Sequence, residues 1–183
     1  MYKNIVRPFL FRFNTDAVHE STIRWTGKVA NSPFLKRVAS GLYNFQHPSL
    51  RQKVLGMTFR NPVGLAAGFD KNGTLAPAME AIGFGFVEVG SITANPSTGN
   101  PKPRSFRLPE DESLINRMGL NNDGAATIRK RLEKLSLSVP LGVNIAKTHD
   151  PSITGERALE DYLESFRLAV PVADYITLNI SCP

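Results

Sequence analysis

Polar side chains stand where several apolar segments of this sequence end, and their types suit a flat polar ligand. Asn144 and Asn179 lie within or just after apolar runs, Lys71 follows another, and the one cysteine, Cys182, comes three residues after Asn179. A buried amide must find hydrogen-bond partners. Because an amide both donates and accepts, it matches the imide edge of a flavin or a pyrimidine. Together these residues predict a site for a planar heterocycle.

The same residues also have structural interpretations. One Asn at a strand end can be a cap, Lys71 can be a solvated loop lysine, and a lone cysteine is most often a small buried hydrophobe. Two Asn at equivalent places on neighbouring strands favour binding over capping. No Ser/His/Asp arrangement or pair of carboxylates is apparent, and Cys182 with the three histidines fits no zinc or iron–sulfur spacing. The pattern favours an organic cofactor that carries the chemistry.

The segments that position these residues alternate between strands and helices. Apolar runs predict strands at residues 63–66, 86–89, 141–145 and 175–180, and helical periodicity predicts helices at 75–82, 124–135 and 156–170. Short apolar strands without alternation are typical of a parallel sheet buried on both faces. The carboxyl ends of such strands share one edge, where barrel enzymes carry their active sites. We therefore expect an α/β fold, with four strands of a barrel or of a doubly wound sheet.

Two further segments are expected at that edge. Ala67 and Gly68 are small enough to let a ring approach the backbone, and Ser91 offers a hydroxyl after the second strand. Residues 94–122 are rich in Pro, Gly and Asn, yet they contain several packing side chains. A long segment of this kind is typical of an ordered lid or a substrate loop.

The N-terminal third is basic and helical. Residues 1–60 hold ten Lys and Arg against two Asp and Glu, whereas residues 61–183 hold twelve against fourteen. This asymmetry indicates contact with a polyanion or an anionic membrane surface. Ser32 and Pro33 predict the start of a helix, and Gly56 predicts a turn in a small hairpin. Periodicity alone favours helices packed on their own domain, while the aromatic and basic residues leave open a pair of interfacial helices.

Six motifs, in this order, resemble the dihydroorotate dehydrogenase family. They are residues 66–71 (AAGFDK), 88–93 (EVGSIT), 101–104 (PKPR), 116–119 (NRMG), 142–145 (GVNI) and 179–183 (NISCP). The basic helical N terminus resembles the membrane-associated, quinone-using class. The resemblance implies a helical membrane and quinone-site extension over residues 1–50. It also implies the first half of an FMN-binding (β/α)₈ TIM barrel over residues 51–183, ending at Pro183 before the family's second half.

The resemblance also implies an activity, the oxidation of (S)-dihydroorotate to orotate in pyrimidine biosynthesis, with FMN as cofactor and a quinone as acceptor. FMN would contact Ala67, Gly68, Phe69, Asp70, Lys71, Ser91, Asn144 and Asn179. Dihydroorotate or orotate would contact Lys71, Asn116, Arg117, Met118, Gly119, Leu120 and Asn179. Cys182 would take a proton from C5 while C6 delivers a hydride to the flavin. The implied partners of residues 1–50 are an anionic membrane surface, on the cytoplasmic side of a bacterial cell membrane, and a membrane quinone, with no nucleic acid and no metal.

Two positions depart from the quinone class, which usually has serine at Cys182 and phenylalanine at Leu120. A soluble-class enzyme, or another FMN barrel acting on pyrimidines with a different acceptor, is the alternative. A non-catalytic membrane-binding piece is a third hypothesis. Because the chain lacks the second half of the family's barrel, the resemblance leaves open whether this piece is active alone.

Overall fold

The N-terminal part of the chain is helical. The computed structural model describes residues 2–181. A π-helical turn (Tyr2–Val6) is followed by α1 (Arg7–Leu10), α2 (Thr15–Asn31) and α3 (Pro33–Tyr43). The Ser32 hydroxyl accepts the backbone N–H of Leu35 at 3.3 Å, which caps α3 at its predicted start.

A small antiparallel hairpin joins these helices to the rest of the fold. A 3₁₀ turn (Pro48–Leu50) leads into β1 (Gln52–Val54), which pairs with β2 (Met57–Phe59). Leu55 and Gly56, at φ 49° and 82°, form the tight connection. Two successive positive φ values are typical of a two-residue hairpin turn. The turn predicted at Gly56 is confirmed.

A parallel sheet and its helices make up the rest of the chain. The elements are β3 (Gly64–Leu65), α4 (Ala76–Ala81), β4 (Phe86–Ile92), β5 (Ser105–Leu108), β6 (Ser113–Asn116), α5 (Ala125–Leu132), β7 (Leu141–Ile145), α6 (Glu156–Ala169), a 3₁₀ turn (Val170–Val172) and β8 (Tyr175–Leu178). The sheet runs β3, β4, β7, β8, and all three pairings are parallel. The four predicted strands and three predicted helices are all present, with limits shifted by up to three residues.

The helices bury one face of the sheet. Fully buried Val87, Val89, Val143 and Ile145 share one apolar cluster with residues of all three helices, among them Met79, Ile128, Leu132 and Ala169. Side chains alternate along a strand, so Glu88 and Asn144 lie on the opposite face. This second face carries polar side chains at Glu88 and Asn144, and all five residues of β7 are buried.

Glycines on the polar face make room for aromatic rings. A Cβ at Gly64 would lie 2.2 Å from the Phe86 ring, and one at Gly142 would lie 2.2 Å from the Tyr175 ring. Each ring therefore lies across the backbone of the neighbouring strand. This packing holds the strands in place next to the polar side chains at their carboxyl ends.

The segment 94–122 is ordered, as predicted, but it contains the hairpin β5–β6, which was not predicted. The pairing of Ser97 with Asn122 closes the base of the segment. Asp16 of α2, only 6% exposed, accepts the backbone N–H of Arg104 at 3.0 Å. This buried carboxylate connects the N-terminal helices to the hairpin.

Candidate active site

A cleft of about 1030 Å³ opens at the carboxyl ends of the central strands. Its size is in the upper range of small-molecule sites. The strand ends contribute Ala67, Gly68, Lys71, Ser91, Asn144, Thr177, Leu178, Asn179, Ile180 and Ser181. The hairpin and the residues after it contribute Ser105, Leu114, Asn116, Arg117, Met118, Gly119 and Leu120, and Thr15, His19 and His149 complete the lining.

Most of the predicted binding residues line this cleft. The exceptions are Phe69 and Asp70, while Cys182 lies outside the described residues. The structure thus brings together both Asn residues, Lys71 and residues 116–120, which were expected at one edge of the sheet.

Asp70 holds the loop that precedes α4. Its carboxylate is 1% exposed and accepts the backbone N–H groups of Thr74, Leu75 and Ala76 at 2.9, 2.7 and 3.0 Å. Charged oxygens of this kind satisfy the unpaired N–H groups at a helix start. The Asp70 side chain is engaged at this helix, and its role in cofactor binding stays a prediction.

Phe69 packs inward. Its ring lies against the apolar core and meets the His19 ring edge-on, with centroids 6.2 Å apart. Phe69 therefore supports the helix residue that lines the cleft, and its predicted cofactor contact is likewise untested.

Polar side chains at the floor of the cleft, together with Glu88 beneath them, form a continuous series of hydrogen bonds. The Ser91 hydroxyl donates to Asn144 Oδ1, and Asn179 Nδ2 donates to Ser91 Oγ at 2.9 Å. Asn144 Nδ2 in turn donates to Glu88 Oε1 at 3.0 Å. The two Asn residues are thus joined through one hydroxyl. A shift of register between Val89 and Ile92 turns Ser91 to the polar face.

Glu88 was given no role from the sequence, although a carboxylate within the apolar run of β4 was a signal. Its Oε2 accepts the hydroxyls of Thr177 and Tyr175 at 3.1 and 3.2 Å. Burial, and then the charge of Glu88, raise the pKa of the Tyr175 phenol. Tyr175 therefore stays protonated and donates to the carboxylate.

Lys71 places a partly desolvated cation in the cleft. Its Nζ donates to the backbone carbonyl of Gly68. Burial, and then the Arg104 guanidinium, lower the pKa of Lys71, while Asp70 acts in the opposite sense. An ammonium with few water partners binds an anionic or carbonyl-rich ligand more strongly than an exposed one does.

The floor beside Lys71 is open enough for a ring. Gly68 has φ 106°, and a Cβ built there would meet no other atom within 4 Å. Ala67 precedes Gly68 and also lines the cleft. Small residues, two amides and one ammonium fit a flavin ring and its polar edge.

Two residues of α2, Thr15 and His19, line the same cleft as the strand ends. Burial, and then Lys71, lower the pKa of His19 from its ordinary value. The resemblance implied a quinone site at the N-terminal helices, but it named neither residue. Both lie at the start of α2, where helical periodicity gives no signal for a ligand.

This shift predicts a loss of stability in acid. The unfolded chain binds a proton at the usual histidine pKa, while folded His19 resists it. The free energy of unfolding should therefore fall as the pH drops below about 6.5. Denaturant unfolding from about pH 5 to pH 7.5 should show a shallower pH dependence for His19→Gln. An unchanged slope would contradict the assignment to His19.

Comparison with known proteins gives a consistent result. The family model described as "Dihydroorotate dehydrogenase" matches residues 49–183. A "Dihydroorotate dehydrogenase (quinone)" of Chloroflexus aurantiacus is 45% identical over all of this chain and 51% of its own length. A protein of the same description from Roseiflexus is 43% identical over 98% of this chain and 49% of its own length. The chain spans about half the length of the curated relatives it matches.

Solved structures agree with the sequence relatives. A crystal structure of DHODH from Eimeria tenella in complex with ferulenol has a TM-score of 0.73 and 37% identity, and it covers 92% of this chain and 44% of that one. The ligand-free form from the same organism has a TM-score of 0.74 and 38% identity, over 89% of this chain and 45% of that one. This chain therefore belongs to the dihydroorotate dehydrogenase family.

Proposed function

We propose that the complete protein oxidises (S)-dihydroorotate to orotate in pyrimidine biosynthesis, with FMN as cofactor and a quinone as electron acceptor. The observation that carries this proposal is the shared cleft, in which the strand-end residues Lys71, Asn144 and Asn179 meet Thr15 and His19 of α2. An enzyme that passes electrons from a flavin to a hydrophobic quinone must bind both molecules, and the strand ends and α2 would form the two walls of that site.

The residues on the cleft floor are those that would hold FMN. Ala67 and Gly68 would face the ring, and Lys71, Ser91, Asn144 and Asn179 would meet its polar edges. When bound, FMN supplies the chemistry these side chains lack, because it accepts a hydride and passes its electrons on. The protein would orient FMN and present polar side chains to one edge of its ring.

The residues at the other side of the cleft would orient the substrate. Asn116 ends β6 and Arg117 follows it. The Arg117 guanidinium donates to the carbonyl of Pro103 at 3.1 and 3.3 Å, which holds this segment in place. Met118, Gly119 and Leu120 continue the same wall. Lys71 and Arg117 supply positive charge for the carboxylate of dihydroorotate.

Cys182 is the proposed base. It would remove the proton from C5 while hydride leaves C6, so that the ring gains a double bond and loses two hydrogens. A thiol has a reference pKa of about 8.5 and needs far less activation than a serine hydroxyl to accept a proton.

We assign residues 51–183 to the first half of a (β/α)₈ TIM barrel. The strands are ordered β3, β4, β7, β8 as in the sequence, and α4, α5 and α6 cover the same face. Sequential order with helices on one face is the arrangement of a barrel, in which the C-terminal strand ends carry the active site.

Residues 1–50 are proposed to rest on an anionic membrane surface on the cytoplasmic side of a bacterial cell membrane. Large apolar side chains on α2 and α3 are exposed, including Trp25 at 66% and Phe34 at 72%. Lys28, Lys36 and Arg37 lie on the same two helices. Between residues 2 and 181, no helix has the length and apolar character needed to cross a bilayer. Exposed aromatics beside basic residues are typical of interfacial helices.

The test is an assay of the purified complete protein. We expect bound flavin in the absorbance spectrum, and orotate formation from dihydroorotate with a short-chain quinone. Faster turnover with a water-soluble acceptor than with the quinone would support the soluble-class alternative. Absence of flavin, or flavin that dihydroorotate does not reduce, would contradict the proposal. Co-sedimentation with anionic vesicles tests the membrane part separately.

A further inference from the structure

We propose that Glu88 is a positioning residue that sets the direction of the hydrogen-bonded chain beneath the cleft and so orients the amides of Asn144 and Asn179. The inference rests on the proposed function in that FMN is the ligand those amides meet. Glu88 itself does not line the cleft, so it acts through Asn144.

At Glu88, the hydrogen bonds of this series can run in only one direction. A carboxylate accepts hydrogen bonds and donates none. Asn144 must therefore turn its Nδ2 toward Glu88 Oε1, 3.0 Å away, and its Oδ1 toward Ser91. The second carboxylate oxygen is engaged by the hydroxyls of Thr177 and Tyr175.

This polarity passes upward through Ser91. The hydroxyl has a single hydrogen, which it gives to Asn144 Oδ1. Toward Asn179 it presents a lone pair, and Asn179 Nδ2 donates to it at 2.9 Å. Asn179 Oδ1 then accepts the backbone N–H and the hydroxyl of Ser181, at 3.0 and 2.9 Å. In each of these hydrogen bonds the donated hydrogen points toward Glu88.

The opposite polarity is disfavoured at both ends. Reversing the chain would aim Asn144 Oδ1 at the carboxylate and Asn179 Nδ2 at the Ser181 N–H, which can only donate. Aligned hydrogen bonds also strengthen one another in a partly buried site. Since Ser91, Asn144 and Asn179 all line the cleft, their fixed polarity decides which donors and acceptors a ligand meets.

Two substitutions separate the effect of the shape of the Glu88 side chain from the effect of its accepting oxygen. In Glu88→Gln the new amide can still accept from Asn144 and can donate to the hydroxyls of Tyr175 and Thr177, so the polarity is retained. In Glu88→Leu the acceptor is lost and the Asn144 amide loses its lower anchor. We expect the FMN dissociation constant to rise within about 3-fold for Glu88→Gln and by roughly 10- to 100-fold for Glu88→Leu.

A double-mutant cycle tests whether Glu88 acts through Asn144. FMN affinity of the complete protein is measured by quenching of flavin fluorescence for wild type, Glu88→Leu, Asn144→Ala and the pair. In the Asn144→Ala background, Glu88→Leu should raise the FMN dissociation constant by less than about 3-fold. Tyr175→Phe is the matched control, because it removes one donor to Glu88 and leaves Asn144 untouched; its effect should also stay below about 3-fold.

A rescue pair covers the case in which Glu88→Leu does not fold. Asn144→Asp places a second carboxylate beside Glu88. Adding Glu88→Gln restores a hydrogen-bond donor between the two side chains. We expect the pair to bind FMN at least about 10-fold more tightly than Asn144→Asp alone. In ligand-free protein, the Asn144 side-chain amide resonances should shift in Glu88→Leu but not in Tyr175→Phe.

Three results would each overturn the role of Glu88. They are additive effects of Glu88→Leu and Asn144→Ala on FMN affinity, no rescue of Asn144→Asp by Glu88→Gln, and unchanged Asn144 amide resonances in Glu88→Leu. The ligand-free resonances test it even if FMN does not bind. Wild-type protein that binds no FMN, or binds it and leaves dihydroorotate unreacted, would instead overturn the proposed function.

Discussion

Replacing Lys71 by methionine is expected to lower kcat/KM for dihydroorotate by roughly 10²- to 10⁴-fold. The ammonium stands partly desolvated in the cleft, and burial and Arg104 already lower the pKa of Lys71. Methionine keeps the apolar stem of the side chain and most of its length but removes the charge. A charge-assisted hydrogen bond contributes about 1.5–3 kcal/mol. Lys71 is assigned one to the flavin edge and one to the substrate, so both are lost.

Lys147 provides the matched control. It also follows a central strand, but its Nζ donates to the backbone carbonyls of Thr148 and Asp150 at 3.1 and 2.9 Å, and it does not line the cleft. Lys147→Met should therefore reduce kcat/KM by less than about 5-fold. Steady-state assays over a range of dihydroorotate concentrations measure both. Equal losses in the two variants would show that Lys71 acts only by holding its loop.

The strand ends were predictable from the sequence because their signals are local. Apolar runs and Gly, Pro and polar residues marked the four strands within a few residues. Parallel pairing then required Lys71, Asn144 and Asn179 to meet at one edge, and the cleft is found there. The parallel pairing and the shared edge follow from the helices that connect successive strands.

What escaped prediction depends on contacts between distant residues. The surroundings of Glu88 are an example, because three strands bring Asn144, Tyr175 and Thr177 to its carboxylate. The hairpin β5–β6 lay in a segment whose Pro and Gly content indicated a loop. Its order depends partly on Asp16, 88 residues before Arg104. Sequence patterns do not encode such pairs.

Gly90→Ala is expected to destabilise the fold by more than about 3 kcal/mol and to remove flavin binding with it. Gly90 has φ 117°, and a Cβ there would lie 2.4 Å from the carbonyl oxygen of Asn144 and 3.0 Å from the Ile92 nitrogen. Both are backbone atoms of the sheet, so no side chain can move aside to relieve the contact.

The position of Gly90 extends this strain to the site. Its N–H donates to the Asp70 carbonyl at 2.9 Å, and its own carbonyl accepts from Gly68 at 2.7 Å. Moving Gly90 away from Asn144 must therefore displace the loop that carries Gly68 and Lys71. Even a variant that folds should bind FMN more weakly.

Gly41→Ala, within α3, separates this effect from any general cost of replacing glycine. A Cβ there meets no atom within 4 Å, and Gly41 has no positive φ. Alanine favours the helix, so this variant should gain about 0.5–1 kcal/mol. Urea unfolding and flavin titration of both variants give the comparison. A Gly90→Ala protein as stable as wild type would mean that β4 and β7 can move apart at Asn144, and the expected loss of stability would be contradicted.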